Sequence, residues 1–208
     1  ALNVQKIDQM IANKIMYLAK GRLFLAVLYL FIATAFFSMW MSNTATAAMM
    51  IPLSMTILSQ LDRHKEHNTY VFVLLGIAYS ATIGGMGTLV GSPPNAIAAS
   101  QLHLNFGDWM KYGMPTMLLL FPLIIGWLYI VFKPRLDLRF DAEFSKIALT
   151  GKRILAILIF ITTALLWIFG GAINPIISEA LALPQKIGGF DSLVAMIAAV
   201  VICVTGVA

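Results

Sequence analysis

The chain has 208 residues, with 14 Lys or Arg against nine Asp or Glu, and 60% of it is hydrophobic. Charged residues make up 11%, against roughly a quarter in an ordinary soluble domain, and mean hydropathy is +0.88. A soluble core of this size cannot hide that much apolar surface, which excludes a soluble enzyme, a nucleic-acid binder and a disordered chain.

Residues 1–22 form the first unit. Ile7, Met10, Ile11, Ile15 and Leu18 recur at three- and four-residue spacing, with Lys6, Asp8, Asn13, Lys14 and Lys20 between them. That pattern predicts an amphipathic helix over 6–21, stopped at Gly21 and lying in the membrane interface. Residues 23–61, 67–107, 112–132, 154–178 and 192–208 then carry no Asp, Glu, Lys or Arg. About 20 apolar residues cross a bilayer as a helix, and none of these stretches alternates as a barrel strand would. The fold class is therefore an all-α polytopic membrane protein.

Residues 23–60 read as two apolar arms around Ser42-Asn43-Thr44. They are either two short crossing helices or a re-entrant hairpin. The polar tip favours the hairpin, because irregular backbone inside a membrane is tolerated only beside protein or water. Residues 68–107 are too long for one span, and residues 84–95 hold four glycines and two prolines. This predicts a discontinuous helix. Its first half ends near Gly84 with a left-handed stop, and its second starts at Ser92 as N-cap, with Pro93 in the first turn. Residues 109–132 are a conventional span and 133–152 a charged loop. Residues 153–208 open a further unit: a span to Gly170-Gly171, a loop or short helix over 172–190, and the start of another apolar run.

The basic residues order these pieces. Residues 1–22, the loop 62–67 and the loop 133–153 carry 12 of the 14 Lys and Arg, and the other connections carry only Lys111 and Lys186. With the first three groups cytoplasmic, 23–61 leaves and returns on one side and the later spans alternate. Cys203 is the only cysteine, so no disulfide forms within the chain. Both termini fall inside a pattern, and the chain is expected to be a piece of a larger transporter.

Each break should leave unpaired carbonyls on the incoming helix and unpaired N–H groups on the outgoing one. The first suit a cation and the second an anion, a device of secondary transporters. Ser38 and Ser42 lie four residues apart, so they are expected to share a helix face. Hydroxyls, an Asn carbonyl and backbone carbonyls form an uncharged oxygen set suited to Na⁺. The apolar stretches hold no titratable carboxylate or amine for a proton relay.

Ser42-Asn43-Thr44 at a hairpin tip with Ser38 one turn earlier, plus Gly91-Ser92-Pro93-Pro94-Asn95 in a broken helix, resembles the divalent anion/sodium symporter family. The resemblance implies a homodimer of two inverted repeats and an elevator-type transport domain. It implies sodium-coupled transport of di- or tricarboxylates such as succinate across the inner membrane, without an organic cofactor. In this reading 23–132 is half of the transport domain and 153–208 the start of the second repeat's scaffold. A second hairpin and a second sodium site would lie beyond Ala208. The resemblance assigns Na⁺ to Ser38, Ser42, Asn43 and a backbone carbonyl at or near Gly91. It assigns the substrate carboxylate to Asn43 and Thr44, with Ser92, Pro93 and Asn95 shaping the substrate site beside them. The alternatives are another carrier of the wider ion-transporter group, for sulfate, citrate–metal complexes or arsenite, and a membrane metalloenzyme built on His64-Lys65-Glu66-His67.

Overall fold

The computed structural model describes residues 19–139, 150–181, 185 and 187–206. The interfacial helix expected over 6–21 lies outside them except for its last residues, where Gly21 has the positive φ (72°) of the expected stop.

Eight helices are present among the described residues: α1 Leu23–Ser38, α2 Asn43–Leu58, α3 His67–Gly84, α4 Pro93–Gln101, α5 Phe106–Phe132, α6 Gly151–Ile168, α7 Gly170–Ala180 and α8 Phe190–Val204. No strand occurs among these residues, only one isolated bridge between Arg22 and Arg139. α5 and α6 are long and apolar enough to cross a membrane, and α1, α2 and α8 are shorter apolar helices. Of the two forms expected for 172–190, the short helix is present as far as Ala180. α7 begins at Gly170, with only Phe169 between it and the end of α6, and Asn174 makes two hydrogen bonds with Ile187, both 3.0 Å.

α1, α2, α3 and α5 pack around one core. Leu23, Leu30 and Phe31 of α1 meet Met50 of α2 and Phe72 and Ile77 of α3, all essentially buried. Phe31 and Phe72 stand edge to face at 5.5 Å, the arrangement that aromatic quadrupoles favour. The outward faces of α5 and α8 remain apolar and exposed, for example Leu119, Trp127, Ile130 and Val200, as lipid-facing helices require.

The helix ends sort as the Lys/Arg count demands. At one end the Leu23 N–H donates to Leu138 O (3.1 Å) and the Phe24 N–H to Leu136 O (3.2 Å). Arg135 pairs with Glu66 at 3.2 Å, and the Tyr70 hydroxyl donates to Leu58 O. The starts of α1 and α3 and the ends of α2 and α5 therefore meet there, and this basic end carries Arg22, Lys65, Lys133, Arg135 and Arg139. At the opposite end the Phe106 N–H donates to Asp191 Oδ2 (3.1 Å), and Trp167 Nε1 donates to Asp191 O (2.9 Å). That joins the start of α5 to the end of α6 and the start of α8.

The expected left-handed stop at Gly84 is corrected. α3 ends with Gly85 as cap at φ −59° and ψ −18°, an ordinary right-handed conformation. Glycine is needed there for another reason, namely close approach of a second helix end.

Candidate functional site

α1 stops at Ser38 and α2 starts at Asn43. The four residues between them turn the chain back, and Ser42, in extended conformation, caps α2 by accepting from the Ala45 N–H at 3.3 Å. α3 stops at Gly84, and α4 starts at Pro93 after the extended Ser92. The two chain breaks lie against each other. A Cβ added to Gly91 would sit 2.5 Å from Gly85 O and 2.7 Å from Ser38 O, one added to Gly85 would run into the Asn43 amide, and one added to Gly84 would strike the Ala35 backbone. Gly84 and Gly91 are thus required because backbone meets backbone, and Gly85 because the Asn43 amide packs on it.

Side chains bind the two breaks together. The Ser38 hydroxyl, fully buried, donates to Ala81 O in α3 at 2.6 Å. The Thr88 hydroxyl donates to Met39 O, at the end of α1, and accepts from the Gly91 N–H at 3.2 Å. Asn95, buried in α4, donates from Nδ2 to Gly85 O (2.7 Å) and Thr88 O (2.8 Å). Carbonyls that a broken helix leaves unpaired would otherwise each cost about 1–3 kcal/mol in a dry interior.

Asn43 lies at the centre. One amide atom sits 2.7 Å from Ser38 Oγ, 3.2 Å from Ala81 O and 3.3 Å from Gly91 O. Proton count identifies it. Ser38 has a single proton, already given to Ala81 O, and the two carbonyls can only accept. The atom is therefore the NH₂ nitrogen, donating to acceptors from both breaks, and Oδ1 is turned the other way.

The structure brings Ser38, Asn43 and Gly91 together. Ser42 is elsewhere: α1 has ended before it, so the expected shared helix face with Ser38 does not exist, and its exposed hydroxyl serves as a cap. Thr44 is exposed in the first turn of α2. Ser92 is the N-cap of α4 without a side-chain cap bond, Pro93 is exposed, and Asn95 is turned inward. No Asp, Glu, Lys or Arg occurs between 23 and 61 or between 67 and 107, so the set is made of neutral oxygens and amides. Sequence reasoning missed Ala81, whose contribution is a backbone carbonyl and leaves no side-chain trace, and Thr88, hidden in the glycine run. It also missed the hydroxyls of Thr46 and Ser80, fully buried beside this region and without a hydrogen-bond partner among the described residues.

The joint is level with the first turns of α5. Trp109 Nε1 donates to Met86 O at 3.1 Å, and Gly113 packs on the same carbonyl. Gly113 is seven residues into a 27-residue helix, so the joint lies about 10 Å from one end of a rod about 40 Å long. On the tip itself Trp40 reaches Phe106 (6.1 Å) and Phe160 of α6 (5.0 Å).

The citrate transporter (CitMHS) family model matches residues 1–207. An uncharacterized transporter of Haemophilus influenzae is 66% identical over 208 residues, covering all of this chain and 45% of the relative. One from Methanocaldococcus jannaschii is 36% identical over 208 residues, covering 98% of this chain and 44% of the relative. The sodium-dependent dicarboxylate transporter SdcS of Staphylococcus saprophyticus is 37% identical over 124 residues, covering 53% of this chain and 23% of that protein. The chain thus spans a little under half the length of the relatives that it matches end to end. With a match along nearly its whole length and helices suited to a bilayer, the chain belongs to the citrate transporter family of integral membrane transporters.

Proposed function

We propose that the protein of which this chain is part couples sodium entry to uptake of a di- or tricarboxylate of the succinate type. The observation that carries the reading is the joint itself: two helix breaks pressed together, lined by neutral oxygens and free of fixed charge. The similarity to SdcS, a sodium-dependent dicarboxylate transporter, supports the same reading.

In this reading Ser38 Oγ, Gly91 O and Asn43 ligate Na⁺, with Ser42 holding the start of α2. In the arrangement described, the Asn43 NH₂ already donates to the acceptors that a cation would use. Sodium therefore enters as the amide turns about its terminal bond and presents Oδ1 in place of NH₂. The substrate carboxylate sits at the start of α2, where unpaired N–H groups and the Thr44 hydroxyl donate to it. Ser92, Pro93 and Asn95 shape the second helix start beside it, with Asn95 acting as a brace. Coupling follows from proximity. Opposite unit charges about 4–6 Å apart at an effective dielectric near 20 attract by about 3–4 kcal/mol. Each ligand then raises the affinity for the other by the same factor.

The elevator motion and the homodimer rest on the family resemblance. The side-chain bonds across the joint tie the two breaks to each other, and the tip reaches α6 through the Trp40–Phe160 contact. The test is uptake of radiolabelled succinate by the full-length protein in proteoliposomes, with Na⁺ replaced by choline or K⁺. Equal uptake in choline ends the sodium reading. The family description favours citrate as the competing substrate, and a competition panel of succinate, citrate, sulfate and phosphate decides among them.

A further inference from the structure

A groove of about 350 Å³ runs up the outside of the bundle from its basic end. Its walls include Phe24, Leu28 and Phe31 of α1, Phe72 of α3, and Phe121 and Tyr129 of α5, with Gly126 opening its flank. From Phe24 to Phe31 it follows α1 for seven residues, about 10 Å. A second pocket, largely apolar but carrying charged side chains, continues it at the basic end, and the two share Phe24 and Leu136. Besides Leu25 and Leu138, this second pocket is lined by Arg22, Arg139 and Asp137.

The two arginines face each other in the antiparallel bridge between the start of α1 and the segment after α5. Like charges directly opposite in such a pair repel. Among the described residues neither guanidinium has an acidic partner, and Asp137, in the same pocket, pairs with neither. The backbone around them is already satisfied, since the Leu23 and Phe24 N–H groups bond to Leu138 O and Leu136 O. Among the described residues this leaves two exposed cations at the mouth of an apolar groove, on the side to which the Lys/Arg distribution assigns the cytoplasmic leaflet.

We propose that this composite site holds an anionic phospholipid, its phosphate between Arg22 and Arg139 and one acyl chain lying in the groove. The charge complementarity selects the headgroup, as basic pockets on the cytoplasmic side of helix bundles do. The groove supplies shape rather than driving force, because lipid tails are as apolar as the walls. The site is separate from the joint of helix breaks, and the proposal stands or falls independently of sodium coupling.

The experiment is native mass spectrometry of the full-length protein in detergent, titrated with phosphatidylglycerol or phosphatidylcholine. The wild type is expected to retain phosphatidylglycerol about tenfold more strongly. Arg22→Gln with Arg139→Gln should bring it down to the phosphatidylcholine level. Gly126→Phe should displace both lipids by filling the groove, and it is tolerable because a Cβ at Gly126 meets nothing within 4 Å. Equal retention of the two lipids by the wild type overturns the proposal. So does unchanged binding in Gly126→Phe, which would mean that another part of the protein covers the groove. Displacement of the lipid by inorganic phosphate also overturns it and leaves only a phosphate site.

Discussion

Gly91→Ala tests whether the meeting of two backbones builds the proposed ion site. The new Cβ would lie 2.5 Å from Gly85 O, 2.7 Å from Ser38 O and 2.9 Å from Gly85 Cα. All three are backbone atoms, so no side chain can swing away. Relief needs the two breaks to part by several tenths of an ångström, and overpacking of this kind costs about 1–3 kcal/mol. The Ser38–Ala81 bond (2.6 Å) and the Asn43 contacts span the same seam, so the strain falls on the proposed sodium ligands. With 1.4 kcal/mol per factor of ten, the sodium concentration for half-maximal succinate uptake should rise about 10- to 100-fold. The assay is sodium titration of proteoliposome uptake, with Gly126→Ala as the matched control, since its Cβ meets nothing within 4 Å. Near-normal sodium dependence in Gly91→Ala, or equal loss in Gly126→Ala, would refute the reasoning.

Asn43→Ala should raise the half-saturating sodium concentration more than Ser42→Ala does. Asn43 touches three acceptors of the joint, whereas Ser42 serves only as a cap worth about 1 kcal/mol, so the Ser42 variant should register mainly as a lower melting temperature of the full-length protein. Thr44→Ala removes one exposed hydroxyl from the start of α2. It should weaken succinate binding by about tenfold, the worth of one hydrogen bond to a charged group, and leave the melting temperature unchanged. Both effects are read by uptake titration beside thermal unfolding.

The breaks were legible because glycine, proline and N-cap residues act locally. Pro93 and Ser92 mark the start of α4 without help from the rest of the chain, and both fall where the sequence puts them. The use of the glycines was not legible. A glycine that ends a helix and one that admits a neighbouring helix look the same in sequence, and only the 2.5–2.9 Å geometry at Gly91 separates them. The shared face of Ser38 and Ser42 failed for a related reason. Four-residue spacing implies a common face only while the helix lasts, and α1 ends at the first of the pair. Ala81 was invisible because it acts through its carbonyl.

The two asparagines of the joint make opposite predictions from similar surroundings. Asn95 gives its NH₂ to two carbonyls at 2.7 and 2.8 Å, both on the α3–α4 break. Asn43 reaches carbonyls of the facing break at 3.2 and 3.3 Å. In the proposed reading the shorter pair is a fixed brace, and the longer pair is what an entering cation replaces. Asn→Asp at either position keeps the shape, removes the donor and sets a carboxylate against carbonyl oxygens, which is destabilising by several kcal/mol at buried Asn95 and by less at half-buried Asn43. Sodium can repair this only where it binds. Asn43→Asp should therefore unfold at lower temperature than wild type in choline and recover most of the loss in Na⁺. Asn95→Asp should be destabilised at least as much and gain no more from Na⁺ than wild type does. Thermal unfolding of the full-length protein in the two salts decides it, and a sodium rescue of the same size at both positions would mean that Asn43 has no special relation to the ion.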